Sequence, residues 1–105
     1  MAFILISPNG QLPNVKTTLY TVPAATQTLI KTISLVNTNA GSVTVNLYIN
    51  SSGTSRRIIP NDLSLGTDFL LETDDVYTLA TGDLIEGDAS VAAVVDYVIN
   101  AIEES

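Results

Sequence analysis

The sequence predicts an all-β protein, an antiparallel β-sandwich of about seven to nine strands for which a jelly roll is one way of connecting them. Threonine, valine, isoleucine and leucine dominate the chain, and Gly, Pro, Asn or Asp interrupts them every ten residues or so. Short β-prone runs between turn residues are the signature of two packed sheets. No helical apolar stripe competes before residue 91. At 105 residues the chain is one domain, residues 1–105, and folding buries roughly 65% of its surface.

The first element is the apolar run Phe3-Ile4-Leu5-Ile6, a short amino-terminal strand or arm, after which Asn9-Gly10 reads as a turn. A strand over 17–22 stops at Pro23. In the stretch 28–38, Leu29, Ile33 and Leu35 share one face, with Lys31 interrupting, and Ile30 and Val36 take the other. Residues 37–41 then read as a hairpin connection. The clearest strand covers 42–50, where Val43, Val45, Leu47 and Ile49 alternate with Thr44, Asn46 and Tyr48. The first set, with Ile33 and Leu35, is the expected core, and the second is the semi-exposed face.

Residues 51–54 form a loop into a strand over 56–59, which Pro60 stops. Further short strands are expected at 69–72, 76–79 and 84–86, with Thr81-Gly82-Asp83 as a tight connection. The stretch 91–102 fits two periods. Val91, Val94, Val95, Val98 and Ile102 have helical spacing, whereas Val91, Val95, Tyr97 and Ile99 line one strand face. Its β-branched content favours a strand, because valine and isoleucine lose χ1 freedom in a helix. Glu103-Glu104-Ser105 is expected to be a solvated tail.

Composition narrows the function. Without histidine or cysteine, the commonest general acid/base, the thiol nucleophile, nearly every structural zinc site and a disulfide framework are unavailable. The net charge of −7 argues against a nucleic-acid or anionic-membrane partner. The run Phe3–Ile6 is far short of a signal peptide's apolar region, and no run approaches a membrane span. No cofactor is expected. Asp83, Glu86 and Asp88 resemble a loose calcium loop but lack EF-hand spacing, so a solvated strand edge is the better reading. Asp74-Asp75 reads as a turn, since adjacent strand side chains point apart and cannot share a proton. Asn50-Ser51-Ser52 is a formal glycosylation sequon without a secretory setting to give it meaning.

The charges are unevenly placed: Lys16, Lys31, Arg56 and Arg57 all precede Asp62, the first of the acidic residues. Residues 1–57 thus carry +4 and 58–105 carry −11, summing to −7. Two readings stand. The strands of a sandwich interleave, so the split need not make poles. Alternatively, Arg56 and Arg57, or Lys31, meet the acid-rich region holding Asp68, Asp74 and Asp75 on a neighbouring copy, with Phe3, Ile4 and Leu5 supplying apolar contact unless that run forms an ordinary core strand.

Several segments carry a resemblance. Thr18-Leu19-Tyr20-Thr21-Val22-Pro23-Ala24, Leu29-Ile30-Lys31-Thr32-Ile33-Ser34-Leu35-Val36-Asn37-Thr38 and Val43-Thr44-Val45-Asn46-Leu47-Tyr48-Ile49 are similar to segments of small virion proteins of tailed bacteriophages. Arg57-Ile58-Ile59-Pro60 and Leu79-Ala80-Thr81-Gly82-Asp83 continue the pattern, which spans about residues 17–100. The resemblance implies a β-sandwich that acts by assembly and is no enzyme: a capsid decoration or cement protein on the outer head. It further implies a homo-oligomer, in the first place a trimer, whose partner is the major capsid protein. A tail, neck or fibre-attachment component is the alternative, with tail proteins as partners, and a host-glycan-binding module is the third. The implied location is the virion, the chain being made in the host cytoplasm.

Overall fold

The computed structural model describes residues 2–73 and 76–105. Eleven strands are present among them: β1 Phe3–Ile6, β2 Asn9–Gln11, β3 Thr17–Thr21, β4 Gln27–Asn37, β5 Val43–Ser51, β6 Thr54–Arg57, β7 Leu63–Leu65, β8 Leu70–Thr73, β9 Tyr77–Leu79, β10 Leu84–Ala89 and β11 Val95–Glu104. The described residues contain no helix. Six strands form one sheet in the order β1-β11-β4-β8, with β2 also on β11 and β9 also on β4. Five form the other in the order β3-β10-β5-β6, with β7 also on β5. All pairings are antiparallel.

Three strand positions are broken in two. Strands β1 and β2 share β11 as partner, β6 and β7 share β5, and β8 and β9 share β4. Counted as positions, the chain has eight, arranged 1-8-3-6 over 2-7-4-5, which is a jelly roll. The core lies between the sheets. Ile30, Ile33, Leu35, Val95 and Ile99 of the six-stranded sheet meet Val43, Val45, Leu47 and Ile85 of the other, all buried. Expected core residue Ile49 is only half-buried, though it packs against the same cluster.

Several expectations need correcting. Ile30 faces inward and Leu29 outward, the reverse of the simple alternation, because Lys31 is an extra residue: Asn100 pairs with Thr32 and Ala101 with Ile30. This β-bulge resets the phase of β4. Asn9-Gly10 is strand rather than turn, and a Cβ on Gly10 would meet the Tyr97 ring at 3.2 Å, so glycine lets β2 run close under that ring. The 51–54 loop is a two-residue hairpin whose central Ser52 and Gly53 have φ of 55° and 83°, as a type I′ turn requires. The expected strand over 56–59 ends at Arg57, and β7 has no counterpart in the sequence reading. The ambiguous segment is a strand, starting at Val95. Glu103 and Glu104 lie within it, paired with Ile4 and Phe3, and are no tail. Asp74 and Asp75, read as a turn, fall outside the described residues.

Candidate assembly surfaces

β1 is one edge of the six-stranded sheet, and three of its four side chains are not core: Phe3 is 67% exposed, Ile4 54% and Leu5 80%, while half-buried Ile6 packs against the core. Its main chain is phased. Ala2 and Ser105 exchange reciprocal hydrogen bonds at 3.0 Å, and the Ile99 N–H donates to the Pro8 carbonyl. In an antiparallel ladder bonded and non-bonded residues alternate, so Ile4 and Ile6 bond inward to β11 while Phe3 and Leu5 turn their N–H and C=O groups to the open side. On the outer face Phe3, Leu29, Ile102 and Thr78 line a shallow recess of about 230 Å³. A second recess holds Leu5 beside exposed Lys31.

The outer face of the five-stranded sheet carries a polar cluster that no motif announced. Asn46, 5% exposed, is its hub. Its Oδ1 accepts from Arg57 Nη1 at 2.6 Å and from the Asp62 N–H at 2.9 Å, and its Nδ2 donates to Asp88 Oδ1 at 2.9 Å and Asp62 Oδ1 at 3.0 Å. Beside it the Tyr48 ring is covered by two cations, with Lys16 Nζ 4.2 Å and Arg57 Cζ 4.9 Å from its centroid. Burial first, then the Asp88 carboxylate, pushes the Tyr48 phenol up. Lys16 donates to Ser55 Oγ at 2.7 Å and pairs with Glu86 at 3.8 Å. Alternation makes Thr44, Asn46 and Tyr48 a semi-exposed face; Asn46 and Tyr48 are buried instead, because these charged side chains roof them.

The cluster bears on the charge split. Lys16 from the basic half pairs with Glu86 from the acidic half, and Arg57 is linked through Asn46 to Asp62 and Asp88, all inside one molecule, so the halves form no poles. Arg56 is exposed and makes no ion pair among the described residues. Asp68 is exposed with a φ of 61°, its N–H donating to the Asn37 carbonyl, and exposed Phe69 and Leu70 follow it. Because β6 and β7 edge one sheet and β8 and β9 edge the other, with residues 66–69 crossing between them, Arg56 and Asp68 stand on the same lateral side. The β1 and β3 edges form the opposite side.

A third polar group ties the sheets together: the Tyr20 hydroxyl donates to Glu103 Oε2 at 2.6 Å and lies 2.7 Å from Thr28 Oγ1. Burial first, then the Glu103 hydrogen bond, pushes this phenol up to about 12. Asp83, buried, closes the turn after β9 by accepting from the Ala80 N–H at 3.0 Å. Glu86 and Asp88 are engaged as described, and no group of three or more potential metal ligands occurs among the described residues.

No family model and no curated protein sequence matches the chain. Among solved structures it is similar to a chain of the disulfide-linked pili that form Bacillus endospore appendages, with a TM-score of 0.60 and 13% identity over 99% of this chain and 87% of that one. It is similar also to a chain of the acid-stable capsid of the Helicobacter pylori bacteriophage KHP30, with a TM-score of 0.52 and 13% identity over 98% and 87%. At that identity what is shared is the fold, here almost end to end. The class is therefore that of the jelly-roll β-sandwiches. The sequence resemblance to small phage virion proteins lies within it.

Proposed function

We propose that the chain is a bacteriophage virion structural protein that decorates and cements the outer capsid, with copies grouped in threes and bound to the major capsid protein. The observation that carries this reading is the surface: a well-buried core coexists with an uncharged apolar edge strand left open. Soluble proteins protect such edges with charge, proline or a cover, and an open one fits a chain that works by joining others. The sequence resemblance and the fold shared with a phage capsid chain support the same reading. In it the chain is no enzyme: it has no histidine or cysteine, and the carboxylates of Asp88, Glu86 and Glu103 are engaged in hydrogen bonds with Asn46, Tyr48, Ser55 and Tyr20. Arg56 and Asp68 are contact residues towards neighbouring subunits, and Phe3, Ile4 and Leu5 supply apolar contact.

The pilus likeness gives a second reading, but the resemblance there is to disulfide-linked fibres, and this chain has no cysteine with which to make such a link. Electron cryomicroscopy of the assembled particle tests the proposal. The expected result is density for the sandwich on the outer face of the capsid, around local threefold positions. Density confined to the tail or neck overturns the capsid assignment, and glycan-array binding by the isolated chain would favour host recognition.

A further inference from the structure

We propose that the β1 edge pairs with the β1 edge of a second copy, across a twofold axis at Ile4. Phe3 and Leu5 both turn their main-chain groups outward, and they lie symmetrically about Ile4. An antiparallel copy therefore finds Leu5 opposite Phe3 and Phe3 opposite Leu5. Each pair exchanges two N–H···O=C bonds, the pattern of a bonded antiparallel pair. The six-stranded sheet continues into its copy, and the Phe3 and Leu5 side chains of both copies close over one another on the outer face.

Charge selects this partner. Residues 2–7, Ala-Phe-Ile-Leu-Ile-Ser, hold no charge, whereas the edge formed by β8 and β9 is flanked by Asp68 and bears Glu72. The carboxylate nearest the β1 edge on the outer face is Glu104, one strand in, beside Phe3. In the paired form the two Glu104 residues stand three strand spacings apart, roughly 14 Å. That exceeds the ~8 Å screening length at physiological salt, so copies of a chain at −7 meet here without close repulsion. The β1 side is opposite the one bearing Arg56 and Asp68, so a subunit can use both contacts at once. The contact deepens the assembly reading without depending on where in the virion the chain sits.

The absence of native cysteine makes the register directly testable. Ile4 of one copy faces Ile4 of the other as a non-bonded pair with Cα atoms about 4.5 Å apart, within disulfide reach. Phe3 faces its own counterpart only diagonally, at roughly 8 Å, as does Leu5, beyond that reach. Purified Ile4→Cys, Phe3→Cys and Leu5→Cys are each oxidised and run on non-reducing gels, with unfolding midpoints measured in parallel. The expected result is a covalent dimer for Ile4→Cys alone, and its loss when Leu5→Pro is added. That proline removes an outward N–H which β11 does not use, so the midpoint should hold. No dimer from folded Ile4→Cys, or equal cross-linking at all three positions, overturns the contact. Capsid density with no Ile4→Cys dimer removes this contact alone, and an Ile4→Cys dimer from a tail-located protein removes only the capsid assignment.

Discussion

At the residue scale, the most consequential side chain is one that neither charge nor motif singles out. Asn46 satisfies Arg57, Asp62 and Asp88 together while buried beneath them. Replacing it with alanine leaves the Asp62 N–H and two carboxylates short of partners, and unmet buried polar groups cost about 1–3 kcal/mol each. Asn46→Ala should therefore lower the unfolding free energy by about 2–4 kcal/mol in urea titrations at neutral pH. Tyr20 supplies a pH signature. Its folded pKa of about 12 lies above the ordinary phenol value, so its contribution is whole below about pH 10 and is lost as pH rises from there through 12. Tyr20→Phe should lose about 1 kcal/mol at neutral pH, and should show a smaller drop in midpoint between pH 10 and 12 than the parent chain.

At the element scale, the bulge in β4 decides which side chains reach the core. Lys31 is exposed, and as a side chain it matters little: Lys31→Ala should change stability by no more than about 0.5 kcal/mol. As a backbone residue it sets the phase: a regular strand that kept Lys31 would place it opposite Ala101, turn Ile30 outward and bring Leu29 in. Deleting Lys31 removes only the extra residue, so Ile30 stays opposite Ala101 and Leu29 stays outward, against β11 on one flank and β9 on the other. The deletion should therefore keep the core and unfold at nearly the same urea concentration as the alanine variant. A midpoint lowered to match the loss of a buried isoleucine, about 2–5 kcal/mol, would mean that the phase of β4 is not set by this bulge.

At the scale of the whole molecule, the question is which charges remain for other chains. Arg57 and Lys16 are committed inside the fold, and Arg56 is not. Arg57→Glu should destabilise the isolated chain by placing a carboxylate beside Asn46, Asp62 and Asp88. Arg56→Glu should leave its unfolding midpoint unchanged while lowering occupancy on particles, with the difference shrinking as salt rises. Occupancy that ignores Arg56→Glu at every salt concentration would confine the subunit contacts to apolar surface.

The legible signals were local. Period-two alternation in 42–50, the β-branched carboxyl terminus and the spacing of turn residues led to strands because each signal acts within a few residues. The absence of histidine and cysteine likewise bounded the chemistry without a structure. The rest depends on partners far along the chain. Asn46 meets Asp88 across 42 residues, and Tyr20 meets Glu103 across 83. No local pattern shows that a semi-polar strand face will be roofed, or that Lys31 will be the extra residue opposite Asn100 and Ala101. Nor can an apolar run such as Phe3–Ile6 be told from a core strand by its own residues. Its exposure follows from its place at the sheet edge, with Phe3 and Leu5 on the outer face that no second sheet covers, and burial is a property of the packed pair of sheets, not of the segment.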